Sequence, residues 1–390
     1  VVRALLYLPD DTARPLAAAA VSGRTLTVRA MVAALRAGAA LIAVPSTLRD
    51  PAVERALARM PALAAAVRWL MPGAPAPAAD PAQWLLLPAS ALIHVAALGR
   101  LLAAPAPCGA VLAPSAAGPA PVALVPAPLV AALWPDLAAG GAVGTLLARR
   151  LAEAGAEARE PAGPYVAVHA HSDLPRAEAA LEATLGIAVD SGVDRYLHRH
   201  CSRWISRLLV RTPVTPNHVS LSSLAIGLVA IWCFWHATVA SAWLGVLLYA
   251  VASIVDHADG EIARLTFQES RLGANLDWAI DTIIHAGIVL GIGVSSGGWP
   301  TSLVGLAGAI GVTLSAVFAR YLPREIEVGP TVGGLLTHIA NRDLFYLVLL
   351  YFATLRWLAP SLVFLVAALV AVGSQVYWLG CLTRLWRPRP

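Results

Sequence analysis

Asp256-His257-Ala258-Asp259-Gly260-Glu261-Ile262-Ala263-Arg264, followed after eight residues by Gly273-Ala274-Asn275-Leu276-Asp277-Trp278-Ala279-Ile280-Asp281, lies where two strongly apolar stretches of the chain meet. A carboxylate beside hydrocarbon is expensive, so four of them at regular spacing require a compensating cation or a chemical task. On a helix, Asp256, Asp259, Gly260, Ala263 and Arg264 stand at offsets of three, four, seven and eight and share one face. Gly273, Asp277 and Asp281 follow at offsets of four and line one face of the next helix. Two antiparallel helices joined by a short turn over residues 265–272 would point both acidic faces into one cleft. Four like charges at that range repel strongly unless Mg²⁺ or Mn²⁺ holds them. The small residues Gly260, Ala263 and Gly273 remove bulk beside the acids, so a large ligand can approach the helix backbone. Arg264 and Arg271 add the positive charge that suits phosphate oxygens. Oxygen ligands, small residues and arginines together point to a metal-bound pyrophosphate.

The pattern D-x2-D-G-x2-A-R-x8-G-x3-D-x3-D resembles the signature of the CDP-alcohol phosphotransferases (CDP-alcohol phosphatidyltransferase family), whose gap between arginine and glycine is eight or nine residues. Every fixed position is present here, in the apolar helical setting that the family requires. The resemblance implies an enzyme that displaces CMP from a CDP-linked alcohol with the hydroxyl of a second alcohol, leaving a phosphodiester. It also implies roles, position by position. Asp256, Asp259 and Asp277 would hold metal. Asp256, Gly260, Ala263, Arg264 and Gly273 would shape the CDP site. Asp281 would be the general base for the acceptor hydroxyl, with a share in a second metal. Two Mg²⁺ or Mn²⁺ ions and a homodimer belong to the same expectation.

Composition is that of a chain partly in membrane. Hydrophobic residues make up 58% of the 390, with a mean hydropathy of +0.70, too apolar for an ordinary soluble protein. All 28 basic residues are arginine, and Ala, Pro and Gly abound, which reads as coding bias. A formal charge of +5 gives no nucleic-acid footprint. Cys108, Cys201, Cys233 and Cys381 have no paired spacing, which argues against a disulfide framework or a zinc site. His198, His200 and Cys201 are too close together on a helix to point at one metal. The apolar start is too short for a signal peptide, so the chain reads as beginning inside a longer one.

In chain order, residues 1–190 read as a soluble α/β domain. Residues 4–8, 40–44, 84–87, 110–112 and 165–168 fit buried strands, and 27–37, 51–60 and 177–185 fit helices, an alternation that favours a largely parallel sheet. Proline-rich residues 72–81 and 114–128 read as loops or breaks. An α/β domain ahead of such a membrane domain is similar to the bifunctional inositol-phosphate cytidylyltransferase and di-inositol-phosphate-phosphate synthases, whose nucleotidyltransferase-like, Rossmann-like first domain makes the CDP-alcohol that the second consumes. A triphosphate site there needs a Gly-rich basic loop after the first strand, and this chain reads Pro9-Asp10-Asp11-Thr12-Ala13-Arg14-Pro15. It needs an acid after a central strand, and this chain reads Leu87-Pro88-Ala89-Ser90. A degenerate domain is therefore favoured over an active cytidylyltransferase, with Asp10, Asp11 and Asp173 the only acids to test.

From Asp194, arginines recur every four residues at Arg195, Arg199, Arg203, Arg207 and Arg211, interleaved with Tyr196, Leu197, Trp204, Ile205, Leu208 and Leu209. Residues 191–214 thus read as an amphipathic juxtamembrane helix, flat on the leaflet, with arginines at anionic headgroups. Residues 215–390 then offer about six spans near 219–237, 242–262, 273–294, 303–322, 344–358 and 361–382, the fifth being short. The expected architecture is an α-helical integral membrane domain of about six transmembrane helices behind a soluble α/β domain. Arg320, Arg324, Arg342, Arg384, Arg387 and Arg389 share the side of the acidic motif, which makes both termini and the site cytoplasmic in a prokaryotic-type inner membrane. Arg271, Arg320 and Arg342 are the acceptor-phosphate residues to test, with topological anchoring as the alternative. Pro216-Asn217 resembles the family's pattern before its first span; Asn217 would contact the nucleotide or cap a helix. His257 would touch the nucleotide, and His285 would pack or support Asp281. Gly287, Gly291, Gly305 and Ala309 fit close helix packing or dimerisation.

CDP-diacylglycerol is the favoured donor, giving a phospholipid; a soluble CDP-polyol such as CDP-inositol is the alternative. The reading from another class is a transporter or inert scaffold, for which Gly260, Ala263 and Arg264 would have no use.

Overall fold

A computed structural model describes residues 2–76, 83–113, 118, 120–139, 141–185, 192–236, 238–321 and 342–385. The chain divides into two compact units, Val1–Gly186 and Ile187–Pro390.

The first unit is α/β. Its strands are β1 (Val2–Tyr7), β2 (Ala20–Val21), β3 (Arg24–Thr25), β4 (Ala39–Pro45), β5 (Val67–Leu70), β6 (Gln83–Pro88), β7 (Ala91–Ile93), β8 (Ala110–Leu112), β9 (Ala123–Pro126), β10 (Glu157–Arg159) and β11 (Tyr165–Ala167). Its helices are α1 (Ala13–Ala17), α2 (Leu26–Arg36), α3 (Pro51–Arg59), α4 (Pro61–Ala66), α5 (Val95–Leu102), α6 (Ala127–Ala139), α7 (Gly144–Glu153) and α8 (Leu174–Glu182). Seven strands form one mixed sheet in the order β10-β8-β9-β6-β1-β4-β5. Five of them share one direction with β10, while β9 runs antiparallel to both β6 and β8. In the middle, Leu5 faces Ala43 on one side and Leu86 on the other. These central strands are continuous apolar runs because helices cover both faces, which removes the need for polar alternation. Leu5, Tyr7, Trp84, Leu86, Val125, Val130, Trp134 and Leu147 belong to one buried cluster.

Two expectations are corrected in this unit. The segment over residues 114–128 is not only loop, because Ala123–Pro126 is the antiparallel strand β9 and α6 starts at Ala127. Residues 165–168 do not enter the main sheet: β11 pairs with β7 as a separate antiparallel ribbon.

The second unit is helical. A π-helical turn, Asp194–His198, leads into α9 (Arg199–Leu209), followed by α10 (Pro216–His236), α11 (Val239–Thr266), α12 (Arg271–Ser295), α13 (Gly298–Tyr321), α14 (Arg342–Leu358) and α15 (Phe364–Leu385). Among the described residues, five helical segments are long and apolar enough to cross a membrane: Pro216–His236, Val239–Thr266, Arg271–Ser295, Gly298–Tyr321 and Pro360–Gly380. The protein is an integral membrane protein. Helix α14, the short fifth segment of the sequence reading, has 17 residues and is about 26 Å long, less than the hydrocarbon thickness.

Glycines set the helix spacing. A Cβ on Gly293 would meet the backbone of α13 at Gly305 N, 2.8 Å away, and Thr301 O, 2.9 Å away. Gly287 and Gly291 lie against Ile231 and Trp235 of α10. Three of the four small residues read from the sequence are thus spent or flanked within one chain; Gly305 faces Gly293, and Ala309 is buried. Gly293→Ala is expected to cost about 1–3 kcal/mol through forced separation of two backbones. Gly373→Ala, with nothing within 4 Å of the added carbon, should be silent. Thermal unfolding of the two variants in detergent checks the contrast.

Candidate active site

The motif is built by α11 and α12. Helix α11 runs to Thr266 and closes with Phe267 in the left-handed region, φ 59°. The Ser270 side chain caps α12 by accepting from Gly273 N at 2.9 Å. The connection is therefore four residues, 267–270, shorter than the 265–272 turn of the sequence reading, and the helices carry the acidic faces almost to their ends.

One carboxylate oxygen from each of Asp256, Asp259 and Asp277 lies within 4.8 Å of the other two. Among the described residues this is the one group of three His, Cys, Asp or Glu side chains placed to hold a metal ion. Asp256 and Asp259 are buried and Asp277 is exposed, so the cluster opens along α12. An all-carboxylate set from two rigid helices fits a hard divalent cation such as Mg²⁺ or Mn²⁺ and suits a soft metal poorly. Asp281 is not part of this group. It sits one turn further along α12 with its side chain 42% exposed, 4.0 Å from His285 Nδ1.

Arg264 reaches back over Gly260: a Cβ there would meet Nη1 at 3.4 Å and Nη2 at 3.6 Å. A Cβ at position 260 would thus be in ordinary van der Waals contact with the guanidinium. Arg264 Nε is buried with no hydrogen-bond partner among the described residues, a donor available to an anion. Asn217 stands in the first turn of α10, not at its cap, and its Oδ1 is 3.6 Å from where a Cβ of Gly273 would be. Ala263 is half-buried on the same face of α11.

The other predicted residues are placed as follows. Arg271 is exposed at the first position of α12. Arg320 donates to Asn275 Oδ1 and, at 3.5 Å, to Ala274 O, with its guanidinium 5.0 Å from the Trp278 ring. It is therefore held on the Ala274, Asn275 and Trp278 face of α12. Arg342 begins α14, but its side chain lies outside the described residues, as do Arg324 and Asn341. His257 donates from Nδ1 to Ser253 O at 2.7 Å and turns its ring toward His198, 5.4 Å away.

Two residues of the site were missed from sequence. Buried Ser220 of α10 donates to Asp259 Oδ2, so a third helix orients one carboxylate of the cluster. Its signal was the three-residue offset from Asn217, which puts both on one face of α10. Glu261, inside the motif, is fully buried and accepts from Arg199 Nη1 at 3.1 Å, Ser202 Oγ at 2.9 Å and Ser206 Oγ at 2.8 Å. The arginine row of α9 is corrected accordingly: Arg199 turns inward to neutralise Glu261, while Trp204 is 68% exposed and Leu208 is exposed beside it. A buried carboxylate needs a paired cation more than the headgroups need one more arginine.

In the first unit, two of the three acids singled out from sequence, Asp10 and Asp173, serve local turns, and Asp11 is exposed. Asp10 Oδ1 accepts from Thr12 N at 2.9 Å and Thr12 Oγ1 at 2.6 Å, and Asp173 accepts from His169 N and Ala170 N at 2.9 and 3.0 Å. Those two backbone donors hold the Asp173 carboxyl below its ordinary range.

The model of the CDP-alcohol phosphatidyltransferase family matches residues 213–385. Among curated proteins, the chain is similar to a "Bifunctional IPC transferase and DIPP synthase" of Rubrobacter xylanophilus, 34% identical over 181 residues, which are 43% of this chain and 40% of that one. A protein of the same description from Thermococcus kodakarensis is 30% identical over 130 residues, 32% of this chain and 29% of the relative. An "Archaetidylinositol phosphate synthase" of Pyrococcus horikoshii is 31% identical over 114 residues, 28% of this chain and 58% of the relative. The matches span between 29% and 58% of the length of these three relatives.

Proposed function

We propose, from the premise that the chain belongs through residues 213–385 to the CDP-alcohol phosphatidyltransferase family of transferases, that it transfers the phospho-alcohol part of a CDP-alcohol to an acceptor hydroxyl and releases CMP. The observation that carries this reading is the gathering of Asp256, Asp259 and Asp277 oxygens within 4.8 Å, with Arg264 on the same helix, α11, as the first two. A divalent cation held by those three carboxylates would neutralise the pyrophosphate as CMP becomes the leaving group.

The chain's own residues do the rest. Arg264, with Nε unsatisfied, binds a phosphate oxygen, and Gly260 lies directly beneath its guanidinium. Asn217, Ala263 and Gly273 border the nucleotide, and Ser220 keeps Asp259 in its rotamer. Asp281 accepts the proton of the acceptor hydroxyl while that oxygen bonds to the phosphorus carrying the alcohol; the bond from this phosphorus to CMP breaks and CMP departs. Arg271, Arg320 and Arg342 are the acceptor-side cations of this reading, and Asp281 is the residue that would share a second metal.

The relatives favour inositol-type chemistry for the substrates over CDP-diacylglycerol, since their names are those of DIPP and archaetidylinositol phosphate synthases. We therefore take CDP-inositol as the first donor and CDP-diacylglycerol as the second. The first unit is read as a non-catalytic domain, supported by the Asp10 turn that fills the place of a triphosphate loop. The membrane side facing Arg271 and Arg320 is read as cytoplasmic.

The test is CMP release by purified protein with Mg²⁺, both donors in parallel, and inositol 1-phosphate among several acceptors, beside Asp281→Asn. Release that needs an acceptor and Asp281 supports the transferase and identifies the donor. Failure to bind any CDP compound in Mg²⁺ would sink it in favour of a transporter or scaffold.

A further inference from the structure

Asp281 is backed by a polar chain that runs through an apolar core. His285, one turn further along α12, has Nδ1 2.6 Å from the main-chain oxygen of Asp281 and 4.0 Å from its Oδ1. Its Nε2 is 2.9 Å from the hydroxyl of Tyr249, a residue of α11 that is 1% exposed. The Phe345 ring of α14 covers the imidazole at 4.6 Å, and the Tyr249 ring packs on Phe345 and Tyr346 at 5.3 and 5.0 Å. Around them Ile280, Ile284, Ile288 and Phe352 make a hydrocarbon setting.

The tautomer of this imidazole follows from its neighbours. A carbonyl oxygen can only accept, so Nδ1 must carry the hydrogen that points at Asp281. In a neutral ring Nε2 is then the acceptor, and the Tyr249 hydroxyl is its donor. In a low-dielectric interior each of these bonds is strong, and a missing partner is costly. We infer that Tyr249 and His285 are positioning residues for Asp281: Tyr249 holds His285 in the Nδ1–H tautomer, and the Nδ1–H, bonded to the main-chain oxygen of Asp281, keeps the imidazole edge 4.0 Å from the carboxylate that faces the acceptor hydroxyl.

This inference rests on the reading of Asp281 as the base, and it separates from that reading in two ways. It assigns a direction to each bond, which can be observed without turnover. It also predicts an effect on the chemical step and not on binding, because neither side chain belongs to the metal cluster or the CDP border.

The experiment uses the full chain in detergent. In ¹⁵N-histidine-labelled protein, with the His285 signal assigned from a His285→Asn sample, imidazole correlation spectra should show hydrogen on Nδ1, and Tyr249→Phe should shift that signal. Hydrogen on Nε2 would overturn the inference whether or not the enzyme turns over. In the CMP-release assay, Tyr249→Phe should lower kcat about tenfold with the KM for donor unchanged. His285→Ala should lower it further, and His285→Asn, which keeps a donor near the Nδ1 position, should recover most of the loss. Unchanged kcat in Tyr249→Phe and His285→Ala would overturn the inference while leaving the transferase intact. Equal losses in His285→Ala and His285→Asn, with unfolding, would reduce the pair to packing and overturn it too. Absence of release by the wild-type protein would instead strike the reading of function, and the tautomer would still decide the geometry.

Discussion

Asp277→Asn is expected to lower Mg²⁺-dependent CMP release at least about 10³-fold while making the metal-free protein more stable. The first effect follows from geometry. Asp277 is the exposed member of three carboxylates whose oxygens lie within 4.8 Å of one another, and the only one contributed by α12. Without it, two ligands from a single helix remain, and a cation would lose both charge balance and its fixed place relative to the base on α12. Loss of one group aimed at transition-state charge costs about 10²–10³-fold, and loss of a metal ligand removes more than one such interaction. The second effect follows from electrostatics: three anions gathered at the mouth of an apolar bundle repel one another until a cation arrives. An amide in place of one carboxylate relieves that repulsion. Thermal unfolding with and without Mg²⁺ reads both sides. The wild-type protein should gain stability from Mg²⁺ and the variant should gain little, starting from a higher metal-free value. An equal Mg²⁺ shift in both proteins would remove Asp277 from the metal site.

The largest stability effect is expected at Glu261. Its carboxylate is fully buried and takes three hydrogen bonds from α9, those of Arg199, Ser202 and Ser206. Removing one partner of such a pair leaves the other charge stranded, at a cost of about 3–5 kcal/mol. Glu261→Ala should therefore unfold the helical unit at markedly lower temperature, and Arg199→Ala should do much the same. The combination of Arg199→Met with Glu261→Leu, which fills the volume without charge, should recover most of the loss, since a well-packed apolar pair often equals a buried ionic one. Additive losses in the double variant would show that Arg199 and Glu261 do not act on each other.

The motif helices were legible because their composition breaks a rule: carboxylates recur at helical spacing inside hydrocarbon-length segments, and no packing argument accounts for that. Asp256, Asp259 and Asp277 meet as their offsets require. Ser220 and Glu261 were not legible for the opposite reason. A serine in an apolar helix and a glutamate beside a glycine look ordinary until a second helix supplies the partner, and offsets along one chain carry no information about that second helix. The α9 arginines show the same limit, since a four-residue period gives a face but not what the face meets. In the first unit, β1, β4, β6 and β8 are apolar runs and were readable as strands. Strand β9 was hidden among prolines, which here close the strand at Pro126 and open α6 through Pro128 in its first turn. Its reversed direction depends on pairing with β6 and β8, which is a tertiary fact.

The four-residue connection that ends α11 at Thr266 and starts α12 at Arg271 constrains how the chain can vary in length. Every helical residue turns its successors by about 100°. A residue added within either helix, between Asp259 and Thr266 or between Gly273 and Asp277, would rotate one set of acids out of phase with the other. A residue added within the connection changes only the path between two helices whose orientations are set by packing on α10 and by the Ser270 cap. The spacing from arginine to glycine can thus lengthen by one without loss of the site, and the spacings among the acids cannot.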